Sequence, residues 1–164
     1  TWDAANTAAA ATSLSGNAGH LAVVTSSTEA DYLITLTGVG AGDEHVHLGG
    51  GDAENEGDWY WLYGPEAGVQ FSSGSTAVNN MFANWRPGQP NSFGGNQDVL
   101  HFHGSTGFGD LSNSVADGNT DGYLIEWDAG LMSDDNAIDI LNGGAGDDTI
   151  ICKIMQVYCR RFQM

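Results

Sequence analysis

Apolar and polar positions follow a helical pattern early in the chain and then lose it. Residues 2–13 are alanine-rich behind Trp2, and Thr1 stands where an N-cap belongs, with Asp3 in the first turn. Ser15-Gly16-Asn17 ends that pattern, and the apolar run at 21–25 has the length of a buried strand. Ser26-Ser27-Thr28-Glu29 has the layout of a capping box and predicts a second helix to about Leu36, with Tyr32 and Leu33 facing the core. Beyond Gly38 the chain becomes glycine-rich loop and short apolar runs, which predict strands at 46–49, 59–63, 82–85, 99–103 and 123–127. Helices first and scattered strands afterwards predict an α+β fold. The irregular stretch from Gly64 to Gly95 is long for a mere connection, which points to function.

That stretch carries the densest candidate chemistry. Asn84-Trp85-Arg86-Pro87-Gly88 leads into the triplet Gln89-Pro90-Asn91, and Gln97-Asp98 follows at the start of an apolar strand. Several side-chain oxygens converging on one point is how a hard cation such as calcium is held. A proline between two oxygen-bearing residues is the natural place for a cis peptide, which turns both side chains to one side.

Motifs on either side of the loop extend the pattern. They are Thr1-Trp2-Asp3, Gly19-His20-Leu21-Ala22-Val23-Val24-Thr25-Ser26 to Glu29, His47-Leu48-Gly49-Gly50, Glu56-Gly57-Asp58-Trp59-Tyr60-Trp61, Phe108-Gly109-Asp110 and Gly122-Tyr123-Leu124-Ile125-Glu126. In this order they resemble the C-type lectin-like domain, in the form found in large secreted bacterial adhesins and RTX-type proteins. The resemblance covers about residues 1–128. It implies an α+β fold of two helices, small antiparallel sheets and a long irregular loop, with the domain at 1–129 and its usual first strand missing before Thr1. The family's disulfide positions carry Val99, Asn113 and Ile125, and the cysteines present, Cys152 and Cys159, lie beyond the domain.

The resemblance also implies a set of site residues. A sugar-site calcium would be held by Gln89, Asn91, Gln97 and Asp110, with Asp98 adjacent, and the same side chains would hydrogen-bond two neighbouring sugar hydroxyls. A structural calcium would lie between the Val23 carbonyl, Glu29 and Glu126. This sequence departs from the family where the loop acid is Gln97 and where Gly109 replaces an asparagine. With fewer charged ligands the sugar-site calcium is expected to bind weakly. Gln-Pro-Asn is a hybrid triplet, so the sugar type stays open.

Composition narrows the partners. With 21 acidic residues against 4 Lys and Arg, the formal charge is −17, which excludes a nucleic-acid partner because nothing neutralises phosphates. No apolar run reaches the length of a membrane span, so membrane insertion is not expected. After a linker at 130–137, residues 138–151 contain a G-G-x-G-x-D-x-U-x nonapeptide that resembles the start of an RTX repeat, with Asp139 and Asp148 as calcium ligands. An ordinary Gly/Asp linker is the other reading of those residues. The tail at 152–164 holds both cysteines and three basic residues and looks foreign to the rest, as a shifted reading frame would; a genuine short functional tail is the alternative. A secreted location by type I export of a larger parent chain is the expectation.

His45 and His47 alternate along one predicted strand, and His101 and His103 along another. Were those strands adjacent, the imidazoles could bind a transition metal; half-exposed strand residues are the simpler reading. Trp59, Trp61 and Trp85 are expected to pack beneath the loop, unless one is exposed for sugar stacking. No nucleophile–base pair, phosphate loop or HExxH is present, so an enzyme is not expected. The expected function is calcium-assisted glycan binding. The alternative is a calcium-independent module that recognises a cell-surface protein or another surface. Ice binding, shown by some relatives, lacks the regular threonine array it would need.

Overall fold

The computed structural model describes residues 1–14, 16–37, 45–103, 107–114, 120, 122–128 and 158–161. The linker at 130–137 and the repeat-like segment at 138–151, with Asp139 and Asp148, lie outside the described residues.

Helix α1 spans Trp2–Ala10, and the Thr1 hydroxyl accepts the Ala4 amide at 3.2 Å. Its inner face is Trp2, Ala5 and Ala9, and the Trp2 indole donates to the Leu48 carbonyl at 2.8 Å. The helix stops short of the predicted Ser13. Thr12 turns back onto the Ala9 carbonyl through both its amide and its hydroxyl, and β1 (Ser13–Leu14) pairs with β2 (Asn17–Leu21). The expected strand at 21–25 therefore sits earlier in the chain. Residues Ala22, Val23 and Val24 are buried but extended outside any ladder, with Ala22 donating to Leu124 and accepting from Gly49.

Helix α2 (Ser27–Thr37) begins at the predicted capping box. The Ser26 hydroxyl accepts the Glu29 amide, and the Glu29 carboxylate reaches back to the Thr25 amide at 2.7 Å and hydroxyl at 2.9 Å, one residue before the usual target. Leu33 is buried as expected. Tyr32 instead stands 46% exposed, because neighbouring helical positions point about 100° apart and Leu33 has taken the core side.

The remaining strands are β3 (Val46–Gly51), β4 (Asp58–Trp61), β5 (Gln70–Ser73), β6 (Thr76–Ala77), β7 (Val99–His103), β8 (Gly107–Leu111), β9 (Gly122–Trp127) and β10 (Tyr158–Arg161). The main path runs β1-β2-β9-β3-β4-β5-β6, with β7 on β3, β8 on β7 and β10 on β9. The pairing of β3 with β9 is parallel and the others are antiparallel. β3 thus lies where three partners meet. Its glycines allow that crowding: a Cβ at Gly49 would fall 2.5 Å from the Leu21 carbonyl oxygen, and one at Gly51 would fall 2.7 Å from that of Asp98.

Two expectations from the sequence are corrected. Residues 82–85 form no strand, since only Trp85 bridges to Phe108 while Phe82 packs on the core. The stretch at 64–95 is less irregular than predicted, because it contains the β5–β6 hairpin. Part of the tail also joins the sheet, as β10 pairs with β9 from Tyr158↔Ile125 to Arg161↔Gly122.

One core cluster joins Val23, Leu33, Leu48, Trp59, Trp61, Phe71, Leu100, Phe102 and Phe108; the other lies under α1 with Trp2, Leu21, Val99, Ile125 and Trp127. Trp59 and Trp61 are fully buried, and Trp61 stacks on Phe71 at 4.3 Å. No helix among the described residues is long and apolar enough to cross a membrane.

β3 and β7 are adjacent, with His47 opposite His101. His47, His101 and His103 are 2%, 2% and 7% exposed rather than half-exposed, because every residue of both strands is buried. Burial pushes the pKa of His47 down to about 4 and that of His101 down to about 2. Both therefore stay neutral in the folded chain where unfolded histidine takes up a proton, near 6.5. This contribution to stability is intact above about pH 6.5 and is lost as pH falls from there towards 4, continuing lower for His101. Denaturation midpoints at about pH 7.5 and about pH 5 should differ less in His47→Gln than in the parent chain. Equal differences in the two proteins would refute the assignment.

Candidate functional site

The loop between Trp85 and Asp98 has few apolar residues to bury, so backbone hydrogen bonds must fix it. Its entry is held by Arg86 N donating to the Phe108 carbonyl at 3.0 Å and by the Trp85 indole on the Ser72 hydroxyl at 2.8 Å. Pro87-Gly88 makes the turn, with Gly88 at φ 83°, and the Gln89–Pro90 peptide is cis.

Asp110 organises the loop beyond that cis peptide. It is 2% exposed on β8, and its Oδ2 accepts the amides of Asn91 at 2.8 Å and Ser92 at 2.5 Å. Its own amide donates to Gln89 Oε1 at 3.4 Å. The Asn91 Oδ1 and Gln97 Oε1 atoms both accept the Phe93 amide, at 3.0 and 2.8 Å. Gln89, Asn91, Gln97 and Asp110, scattered in the sequence, thus form one connected network. Asp110 Oδ1 is buried within it without a hydrogen-bond partner.

Asp98, next to Gln97 in the chain, meets two acids that sequence reasoning missed, Asp52 and Glu56. Its carbonyl accepts the Asp52 amide at 3.2 Å. Asp52 is 3% exposed; its Oδ2 accepts the Gly57 amide at 2.8 Å, while its Oδ1 is buried with no partner. Burial raises the Asp52 pKa to about 6 despite the Gly57 hydrogen bond, and the negative charges of Glu56, Asp98 and Asp110 push the same way. Glu56 ties this group to the loop by accepting the Ser92 hydroxyl at 3.1 Å. The available signal was the acidic pair Asp52 and Glu56, four residues apart between the glycine run and the Gly57 turn. Asp52 and Asp98 also line a cavity of about 530 Å³ with Trp2, Tyr60, Leu62 and Val99. Gln89 lines a smaller one of about 290 Å³ with Trp85 and Arg86.

The second predicted set is also partly gathered. Glu126 Oε2 accepts the Val23 amide at 3.1 Å, and Glu29 is engaged two residues on, at Thr25. Both carboxylates are buried, at 1% and 7% exposure.

An oxygen-only donor set with unpartnered buried oxygens on Asp52 and Asp110 fits a hard cation chemically. Among the described residues, no three His, Cys, Asp or Glu side chains are already grouped around a metal position. Phe93, next to the network, is 79% exposed, whereas the tryptophans nearby are buried or half-buried.

No family model matches the chain. It is similar to a stretch of halomucin from Haloquadratum walsbyi, 34% identical over 139 residues, which is 84% of this chain and 1% of that protein. Halomucin is therefore far longer than the stretch that the chain spans. The crystal structure of the C-type lectin CEL-I from Cucumaria echinata superposes with a TM-score of 0.53, at 24% identity, over 68% of this chain and 74% of that one. The EPNH mutant of CEL-I gives 0.54, at 23% identity, over 70% and 76%. The α+β architecture of this chain is the C-type lectin-like fold.

The Asp52 carboxylate has a raised folded pKa, so its charged form costs stability, and that cost is fully present above about pH 6 and fades as pH falls towards 3.8. In calcium-free buffer Asp52→Asn, which can still accept from Gly57, should raise the denaturation midpoint at about pH 7.5, with a smaller gain at about pH 4. A lower midpoint at the higher pH would rule out the buried-charge account.

Proposed function

We propose, on the premise of the C-type lectin-like fold, that this chain is a calcium-assisted carbohydrate-binding module of a secreted or surface-attached, adhesin-like protein. The observation that carries the reading is the hydrogen-bonded network that links Gln89, Asn91, Gln97 and Asp110, in which Asp110 Oδ1 is buried without a partner. The likeness to halomucin supports an extracellular setting for the parent chain.

Asp110 fixes the loop, and the amides of Gln89, Asn91 and Gln97 each offer an acceptor and donors to a diol. A bound calcium would add coordination to two adjacent sugar hydroxyls. Phe93 presents an exposed ring on which an apolar sugar face can stack. Asp98, Asp52 and Glu56 surround the loop with charge that favours a cation over an anion. The buried carboxylates of Glu29 and Glu126, near Val23, are the proposed structural calcium site, and Asp139 and Asp148 remain proposed repeat ligands.

The alternative, a calcium-independent module that binds a protein or another surface, draws on one observation. The amide oxygens of Asn91 and Gln97 are already committed to the Phe93 amide.

A glycan array probed in several millimolar calcium and again in EDTA separates the two. The expected result is a signal that disappears in EDTA and in both Asn91→Ala and Asp110→Asn. Phe93→Ala should weaken sugar binding roughly tenfold, or ~1.4 kcal/mol, with calcium affinity unchanged. Binding indifferent to EDTA and to these variants would defeat the calcium-assisted reading.

A further inference from the structure

The cavity of about 530 Å³ beside Asp52 lies where α1, β3, β4 and the start of β7 meet, and none of Gln89, Asn91, Gln97 or Asp110 lines it. Its size is that of pockets that take a small organic molecule, about 300–1,000 Å³. Trp2, Tyr60, Leu62 and Val99 make its apolar wall. The Trp2 ring is fixed by its N–H on the Leu48 carbonyl at 2.8 Å and by stacking on Tyr63 at 5.9 Å. Leu62 stands 42% exposed, yet its amide is tied to the Gly49 carbonyl at 2.8 Å. Asn113 Oδ1 accepts the Asp3 amide at 3.2 Å, which joins α1 to the segment after β8. The walls are therefore set before any ligand arrives.

The charged lining is of one sign. Asp3, Asp52, Glu54 and Asp98 border the cavity, and among the described residues no Lys, Arg or His does. Asp52 is the group left unsatisfied: it is 3% exposed, Oδ2 accepts the Gly57 amide, and Oδ1 is buried without a partner. A buried carboxylate oxygen in that state gains from any N–H or cation that reaches it. A metal ion is the poorer match, because calcium takes about six to eight oxygens and no three acids among the described residues are grouped to hold one. An organic cation asks for less. One carboxylate can accept its charged N–H groups, and aromatic or aliphatic surface can cover the rest. The uniform negative charge disfavours an anion.

We propose that this cavity binds an organic cation, a protonated amine, amidine or guanidine on a small apolar body, with the Asp52 carboxylate accepting its N–H groups and Trp2, Tyr60 and Leu62 enclosing the body. Asp3 and Glu54 draw the cation in. A free small molecule and a basic side chain of another protein offer this same chemistry. Binding uses the charged form of Asp52. Burial, and then the charges of Glu56, Asp98 and Asp110, hold its pKa up at about 6, while Asp3, Glu54 and the Tyr60 phenol face the same cavity. A bound cation offsets those charges, so affinity is full above about pH 6 and falls as the pH drops through it.

The test is calorimetric titration of the full chain with benzamidine and with its neutral analogue benzamide, in several millimolar calcium and about 1 M salt. At that salt the Debye length of about 3 Å screens diffuse attraction by the acidic surface. The expected result is saturable binding of benzamidine alone, weaker at about pH 5 than at about pH 7.5, with a shift of the Trp2 indole ¹H–¹⁵N resonance. Asp52→Asn, which can still accept from Gly57, should lower the affinity about tenfold or more. Leu62→Lys, at an exposed position, should do the same by setting a rival cation at the mouth, and it keeps the test decisive if Asp52→Asn folds poorly. Nα-acetyl-arginine amide identifies the source: its binding supports a partner's basic side chain, and benzamidine binding without it supports a free small cation. Absence of binding by both probes, equal affinity for benzamide, full affinity in Leu62→Lys, or binding seen only after EDTA removes the calcium would overturn the proposal. No sugar enters the experiment, so its outcome is independent of the glycan reading.

Discussion

The glycines of β3 are the constraint on which the rest depends. At Gly49, Gly50 and Gly51 an added Cβ would press on the Leu21 carbonyl, the Leu100 side chain and the Asp98 carbonyl in turn. Backbones pack there with no side chain between them, and three partner strands can share one short segment. That close approach sets β7 and β8 beside β3, and so brings Asp110 under the long loop. It also leaves Asp52, the next residue, buried against Asp98. A methyl group at any of the three would have to push apart main chain or core side chains, in an interior with little room to yield.

Polar groups inside this domain follow one physical rule with two outcomes. Asp110, Glu29 and Glu126 are buried acids whose carboxylates accept backbone amides, and each pins a segment that would otherwise lack regular pairing. They replace ladder hydrogen bonds in a fold rich in loops. Asp52 Oδ1 and the ring nitrogens of His101 are buried without any such partner. Buried and unpaired polar atoms are unfavourable, so these are the places where a ligand or ion gains most by arriving. The proposed calcium site starts from such an atom, Asp110 Oδ1, whose neighbour Oδ2 is the one that accepts the loop amides.

No disulfide staples the described core, and β10 adds only backbone pairing along β9. The aromatic cluster fills the role of a staple instead, with Phe108 touching Trp61, Phe71, Phe82, Trp85 and Phe102. Because Trp85 belongs to this cluster, the loop leaves the core from a rigid point. Its far end is then positioned by packing on one side and by Asp110 on the other.

What the sequence determined by itself were the features carried by neighbouring residues. The Thr1 cap, the Ser26–Glu29 cap, the strand at 99–103 and the loop triplet all depend on local backbone geometry, and each is found where the chain placed it. Long-range contacts were decided by tertiary structure. Tyr32 lost the core side to Leu33, residues 82–85 gave up strand pairing, and the histidines moved from half-exposed to buried. Asp52 and Glu56 joined the site only because β3 runs beside the start of β7, and no periodicity reports that pairing. Local propensity reads a few residues at a time, whereas burial and charge proximity are set by strands that meet across a long intervening stretch of chain, as Gly51 meets Val99.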